Sequence, residues 1–284
     1  MRSVLIVGGH SLIGYALYEA FKALSTQVFI TSRQGSPASI KLDLSQSIDV
    51  SALPRCEIVY LCAAITRFAA CEKTPGLAHR VNVAAQLELA RHFLSIGSRV
   101  VFLSSNAVFD GFVESPNEDA SLSPTSLYGQ LKAEVEERLE RVSQQYQGNI
   151  SIVRLTKVVS QRLPLIAEWL SNLQAGKIIS AFSDARLSPI SLDYAVKGLV
   201  SCGAKNIQGK FHLSGESELT YYAFARALAR SVRADQQLVW QEIADQLPKH
   251  NRLGMLRTEW ALGIKAQDLN SLLADITKPP YAYP

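Results

Sequence analysis

Hydrophobic positions along this chain switch between two spacings. Apolar runs of strand length occupy residues 3–7, 27–31, 39–42, 57–62, 99–103 and 150–153. Stretches with apolar residues three or four apart lie between them. The longest, residues 77–94, follows Pro75 and carries Leu87, Ala90, Phe93 and Leu94 on one face; residues 126–142 repeat the pattern. Strands alternating with helices predict an α/β fold, a Rossmann-type doubly wound parallel sheet with helices on both faces. Beyond that the alternation loosens, with helices expected at 163–175, from 191 to 200, at 219–232 and at 266–276, and strands at 177–182 and 210–213. The pattern predicts a large domain over 1–162, to which 188–202 returns, and a smaller C-terminal region formed by 163–187 and 203–284.

Composition narrows the class. Of 284 residues, 48% are hydrophobic and 19% charged, enough to bury a large core and too apolar for disorder. The formal net charge of +4 comes with no basic run, which argues against nucleic acid and leaves a polyanionic small molecule open. Residues 4–7 are too short an apolar run for a signal peptide, and no segment reaches the roughly 18 apolar residues of a membrane span. The expectation is a soluble, cytoplasmic protein with no membrane association. Cys56, Cys62, Cys71 and Cys202 lack Cys-x-x-Cys spacing and read as incidental thiols. His10, His79, His92, His212 and His250 are scattered, so no metal is expected.

Candidate chemistry begins at the first strand. It runs into Gly8-Gly9-His10-Ser11-Leu12-Ile13-Gly14 and then a helical pattern. Such a turn lets backbone approach a pyrophosphate, while the helix amino end adds N–H donors and a positive dipole. Gly8, His10, Ser11, Leu12, Ile13 and Gly14 are therefore predicted dinucleotide contacts, with the Ser11 hydroxyl available to donate to a phosphate. After the second strand, where an NAD site commonly has an acid, stand Thr31, Ser32 and Arg33. Ser32 and Arg33 suit a 2'-phosphate, which favours NADP over NAD, although a solvated loop cation is the ordinary alternative for Arg33. Asp43 and Leu44 fall near an adenine, and Cys62, Ala63 and Ala64 put small side chains where a cofactor crosses the strand ends. Ser104 and Leu155 complete the predicted contacts.

Two Tyr-x-x-x-Lys pairs occur, Tyr18 with Lys22 and Tyr128 with Lys132. On a helix this spacing brings phenol and ammonium together. A nearby cation favours phenolate, which would let a tyrosine exchange a proton at neutral pH. Only the second pair follows a strand that ends in serines, Ser104-Ser105, and one of these could hold a substrate oxygen.

The glycine loop, Ala63-Ala64, Arg80-Val81-Asn82-Val83, the run from Ser104 through Val108-Phe109-Asp110-Gly111, Glu118-Asp119, Tyr128 with Lys132, Arg154 and Phe211-His212-Leu213-Ser214-Gly215 are spread over nearly the whole chain. Together they resemble an extended short-chain dehydrogenase/reductase of the NAD-dependent epimerase/dehydratase superfamily. Val-Phe-Asp-Gly and the Leu-Gly-Ile at 262–264 are most similar to the dTDP-4-dehydrorhamnose reductase branch. The resemblance implies an oxidoreductase with Ser105, Tyr128 and Lys132 as catalytic residues, Tyr128 and Lys132 also touching NADP or NAD, and a nucleotide-4-keto-sugar as substrate. It implies that residues 1–162 bind the dinucleotide and that the smaller region binds the sugar nucleotide. Asn82 reads as a buried structural amide, and Trp240 and Trp260 as core. Arg252, Arg257 and Lys249 are cations available to a diphosphate, or simply solvated. Departures from the branch are Ala69-Ala70, where an Asp-Lys pair is usual, and Lys157, where an aromatic is usual; Arg67 could replace the lost cation. Alternatives are a sugar-nucleotide epimerase or dehydratase and a non-catalytic NADP-binding regulatory subunit. A dehydratase would need carboxylates where Asn106 and Ala107 stand. Helices around Leu87 and Leu131 are those through which many relatives form a homodimer.

Overall fold

The computed structural model describes residues 3–146, 149–205, 207–244 and 250–278. The first part of the chain forms β1 (Ser3–Val7), α1 (Leu12–Ala23), β2 (Gln27–Ser32), β3 (Ile40–Lys41), β4 (Ile58–Leu61), α2 (Phe68–Lys73), α3 (Pro75–His79), α4 (Ala85–Ser95), β5 (Arg99–Ser105), α5 (Leu127–Tyr146) and β6 (Ile150–Leu155). After it come β7 (Lys157–Val159), α6 (Pro164–Gln174), β8 (Ile179–Phe182), β9 (Arg186–Leu187), β10 (Pro189–Ser191), α7 (Leu192–Ala204), β11 (Gly209–Leu213), β12 (Leu219–Thr220), α8 (Tyr221–Ser231), β13 (Val239–Glu242), α9 (Leu256–Leu262) and α10 (Leu269–Thr277).

Seven strands pair in parallel in the order β11-β6-β5-β4-β1-β2-β3. The order reverses direction between β1 and β4, so their carboxyl ends open a crevice for ligands. The central strands are buried on both faces and read as unbroken apolar runs for that reason. On one face α4 and α5 cover Leu5, Val59, Leu61 and Phe102; on the other α1 and α7 cover Ile6, Tyr60 and Leu103. Each sheet residue thus contributes to one of two cores according to its parity along the strand.

α7 packs beside α1 against the large sheet. The boundary at 203 is corrected: β11 lies beyond it, yet completes the large sheet beside β6. A third core, built by α6, β8, α8, β13 and α10, includes Trp169, Phe224, Leu228, Leu272 and Ile276. Trp240 and Trp260 are not in it, being 58% and 88% exposed. Val239 takes the inward position of β13 and turns Trp240 out, while Thr258 and Leu262 are the buried side of α9 and leave Trp260 on the opposite side.

Leu87 and Leu131 lie on the buried sides of α4 and α5. They are 2% and 4% exposed inside one chain. The outward side of α5 presents Gln130, Glu137, Arg138, Glu140 and Arg141. No helix among the described residues is long and apolar enough to cross a membrane. All four cysteines are free thiols.

Candidate active site

A cavity of about 710 Å³ opens at the carboxyl ends of β1, β2 and β4. Gly8, His10, Ser11, Ser32, Arg33, Asp43, Leu44, Ala63 and Ala64 line it, joined by Thr31, Gln34, Leu77 and Val81. Gly8 has φ +87°, and a Cβ there would stand 2.7 Å from the Ala63 side chain. Only glycine fits such a turn, and it leaves backbone open to a ligand. These residues fit a dinucleotide, whose pyrophosphate the glycine loop and the amino end of α1 would hold.

Serine hydroxyls in and near this cradle are committed elsewhere. Ser11 Oγ donates to Gly8 O at 2.8 Å and accepts from Gly14 N at 3.1 Å, which makes it the N-cap of α1 rather than a phosphate donor. Ser32 Oγ pairs with Ser39 Oγ at 2.9 Å and accepts from Gly35 N at 3.1 Å. Thr31 Oγ1 accepts from Gly8 N at 3.1 Å. Arg33 is an exposed cation in the cavity lining, available to a 2'-phosphate, and Lys41 is exposed nearby. Asp43 accepts from the Ser45 amide and hydroxyl, which holds its carboxyl below the usual range. Leu12, Ile13, Gly14, Cys62, Ser104, Tyr128, Lys132 and Leu155 are not part of the cavity wall. Ser104 turns to α5 and donates to Glu136 Oε1 at 2.5 Å, and Leu155 packs in the core on the far face of the sheet from α5.

Beyond Ala63 the strand ends lead to the tyrosine. Tyr128 lies in the first turn of α5 and Ser105 ends β5. The Ser105 side chain is near enough to favour the ionised phenol, while its Oγ accepts from Ala107 N at 3.2 Å and donates to Asn106 Oδ1 at 3.4 Å. Gly129 makes this approach feasible, because a Cβ there would meet Ala107 O at 2.1 Å. Lys132 follows one turn later. Its Nζ donates to Leu103 O at 2.7 Å, lies 4.5 Å from the Phe102 ring centroid and is 5.9 Å from that of Tyr128. The expectation that Lys132 draws the tyrosine pKa down is not met. Burial pushes the Tyr128 hydroxyl up to about 12 against the opposing effect of Ser105. Burial also brings Lys132 down to about 8, opposed by the charge of Glu136. The phenol is therefore protonated at neutral pH, the form that a proton donor requires.

Sequence reasoning missed several neighbours. Phe68, half exposed at the start of α2, stacks on Tyr128 with ring centroids 5.5 Å apart. An apolar residue a few positions past the Ala63-Ala64 strand end was its only signal. Asn82 is the expected buried amide, with its side chain accepting from Ile65 N at 2.8 Å and donating to Ile65 O at 2.9 Å. It sits on a π-helical turn, Arg80–Ala84, and so fixes the loop after β4. Asn106 donates to Asn251 O and Oδ1 at 3.2 Å, which links the serine strand end to the loop before α9. Glu218 holds that loop through the amides of Asn251 and Arg252. Arg252 Nε is buried with no hydrogen-bond partner among the described residues. Arg257 pairs with Asp119 at 2.6 Å, Arg67 is exposed at the start of α2, and Lys249 lies outside the described residues.

Residues 1–274 match the RmlD substrate binding domain family. The chain belongs to that family. Among its relatives, Methionine adenosyltransferase 2 subunit beta of Rattus norvegicus is 27% identical over 250 residues, covering 80% of this chain and 71% of that one. The dTDP-4-keto-6-deoxy-D-glucose reductase of Streptomyces niveus is 27% identical over 261 residues, covering 88% of each. Among solved structures, dTDP-4-dehydrorhamnose reductase from Bacillus anthracis, in complex with NADP, superposes with a TM-score of 0.86 at 19% identity over 97% of this chain and 98% of that one. At that identity the superposition carries the Rossmann-type fold of this family member and nothing finer.

Proposed function

We propose that this chain is an NADPH-dependent reductase of a nucleotide-linked 4-keto-sugar. The observation that carries this reading is the buried Tyr128, near Ser105 and followed one turn later by the buried Lys132, in a chain whose glycine cradle is of dinucleotide size. Bound nicotinamide supplies hydride to the carbonyl carbon. Ser105 holds the carbonyl oxygen, and the Tyr128 hydroxyl delivers the proton that this oxygen takes up. Lys132 balances the charge left on the tyrosine. Arg33 holds the 2'-phosphate, and Arg252 has an unpartnered Nε for a substrate phosphate. The sugar-nucleotide reductase of Streptomyces niveus, aligned over 88% of this chain, supports the substrate class.

A second reading has its own support, since the methionine adenosyltransferase beta subunits match 80% of the chain. In it the same cradle holds NADP without turnover, and the protein acts as a subunit. Purified protein incubated with NADPH and a panel of dTDP- and UDP-linked 4-keto-sugars separates the two. Nicotinamide oxidation matched by reduced sugar supports the reductase. Tight NADPH binding with no oxidation across the panel favours the subunit.

A further inference from the structure

Beneath Tyr128 lies a charged network that the proposed chemistry does not itself use. Lys132 is 3% exposed, and titratable groups face it from every packed side: Tyr128 and Glu136 on its own helix, Cys62 past β4, and Cys71 on α2. Burial pushes both thiols up, Cys62 to about 12, so they stay neutral. Glu136 is the carboxylate of the set. It is fully buried and gripped by Arg154, whose Nε lies 3.1 and 3.0 Å from its two oxygens and whose Nη2 lies 2.6 Å from Oε2.

Arg154 is also fully buried. Its Nη1 donates to Glu118 O at 3.2 Å and to His212 Nε2 at 3.1 Å, and its guanidinium lies 5.0 Å from the Phe109 ring centroid. His212 gives its Nδ1 proton to Gly254 O at 2.6 Å, which leaves Nε2 as an acceptor, and burial beside Arg154 pushes its pKa to about 3. The histidine is neutral, so the Glu136 carboxylate answers two buried cations, Arg154 and Lys132.

We propose that Glu136, buried one helical turn from Lys132 on the same side of α5 and held by Arg154 and Ser104, is a positioning residue that keeps Lys132 charged behind Tyr128. This rests on Tyr128 and Lys132 acting as the reacting pair. An arginine does not give up its proton, whereas a buried lysine does. Removing the Glu136 charge therefore makes Lys132 the group that turns neutral. Removing Arg154 has the opposite sign, because the carboxylate then answers Lys132 alone.

The test is the alkaline limb of kcat/KM against pH for wild type, Glu136→Gln, Arg154→Met and Glu136→Asp, with NADPH affinity and thermal midpoint measured on each. Side-chain NMR titration of Lys132 without nucleotide reads the same shift independently of turnover. The limb should move down by about one pH unit in Glu136→Gln, up by a similar amount in Arg154→Met, and stay near wild type in Glu136→Asp, which keeps the charge. A purely structural role would lower activity and midpoint at all pH values with no movement of the limb. An unmoved limb and an unmoved Lys132 titration in either folded variant would overturn the proposal, and each variant decides alone because each has its own sign. Wild-type turnover in Lys132→Met would instead remove the pair itself from the mechanism. Lost turnover there with an unmoved limb in Glu136→Gln would sink only the role of Glu136.

Discussion

The two Tyr-x-x-x-Lys pairs have the same spacing and nearly the same geometry. Lys22 Nζ stands 5.7 Å from the Tyr18 ring centroid, and Lys132 Nζ stands 5.9 Å from that of Tyr128. Their surroundings differ. Tyr18 is partly exposed on α1 and Lys22 is exposed, so water screens their charges. Tyr128 and Lys132 are 8% and 3% exposed, with Ser105 near the phenol, a carbonyl on the ammonium and the buried Glu136–Arg154 ion pair one turn further along α5. Helical spacing produces the pair; burial is what sets Tyr128 apart, and it keeps the phenol protonated.

Breaking the support should separate the pairs most. Arg154→Met leaves Glu136 without its main partner and should cost about 3–5 kcal/mol of unfolding free energy, as breaking one side of a buried pair does. Lys22→Ala should stay within about 0.5 kcal/mol; chemical denaturation of both variants checks this. Gly129→Ala inserts a methyl group against Ala107 O and pushes Tyr128 away from Ser105. Turnover should fall about 10- to 100-fold with NADPH affinity held, a loss of alignment rather than of binding. Arg33→Ala should weaken NADPH about 10-fold and NADH little, the size of one charge-assisted contact. Equal loss for both nucleotides in a binding titration would remove Arg33 from the 2'-phosphate.

Much of the fold was legible because parallel strands buried on both faces leave apolar runs that helices punctuate. The glycine loop was legible because Gly8 is constrained by its own backbone and by Ala63. Hydroxyl direction was not. Ser11, Ser32 and Ser104 stand where ligand donors belong, yet each bonds to a nearer protein partner. Those competing acceptors appear only once the chain has folded. Phe68 and the Asn106–Asn251 link were hidden because each joins segments that are far apart in the chain. The size of Trp240 and Trp260 carried no mark of which side faces water.

One measurement reaches the central claim most directly: steady-state NADPH oxidation with a nucleotide-linked 4-keto-sugar by wild type, Tyr128→Phe and Tyr18→Phe, with NADPH affinity determined for each. Tyr128→Phe should lose about 100-fold or more in kcat while binding NADPH as wild type does, and Tyr18→Phe should stay within about twofold. Equal turnover by wild type and Tyr128→Phe would contradict the assignment of Tyr128 as the proton donor.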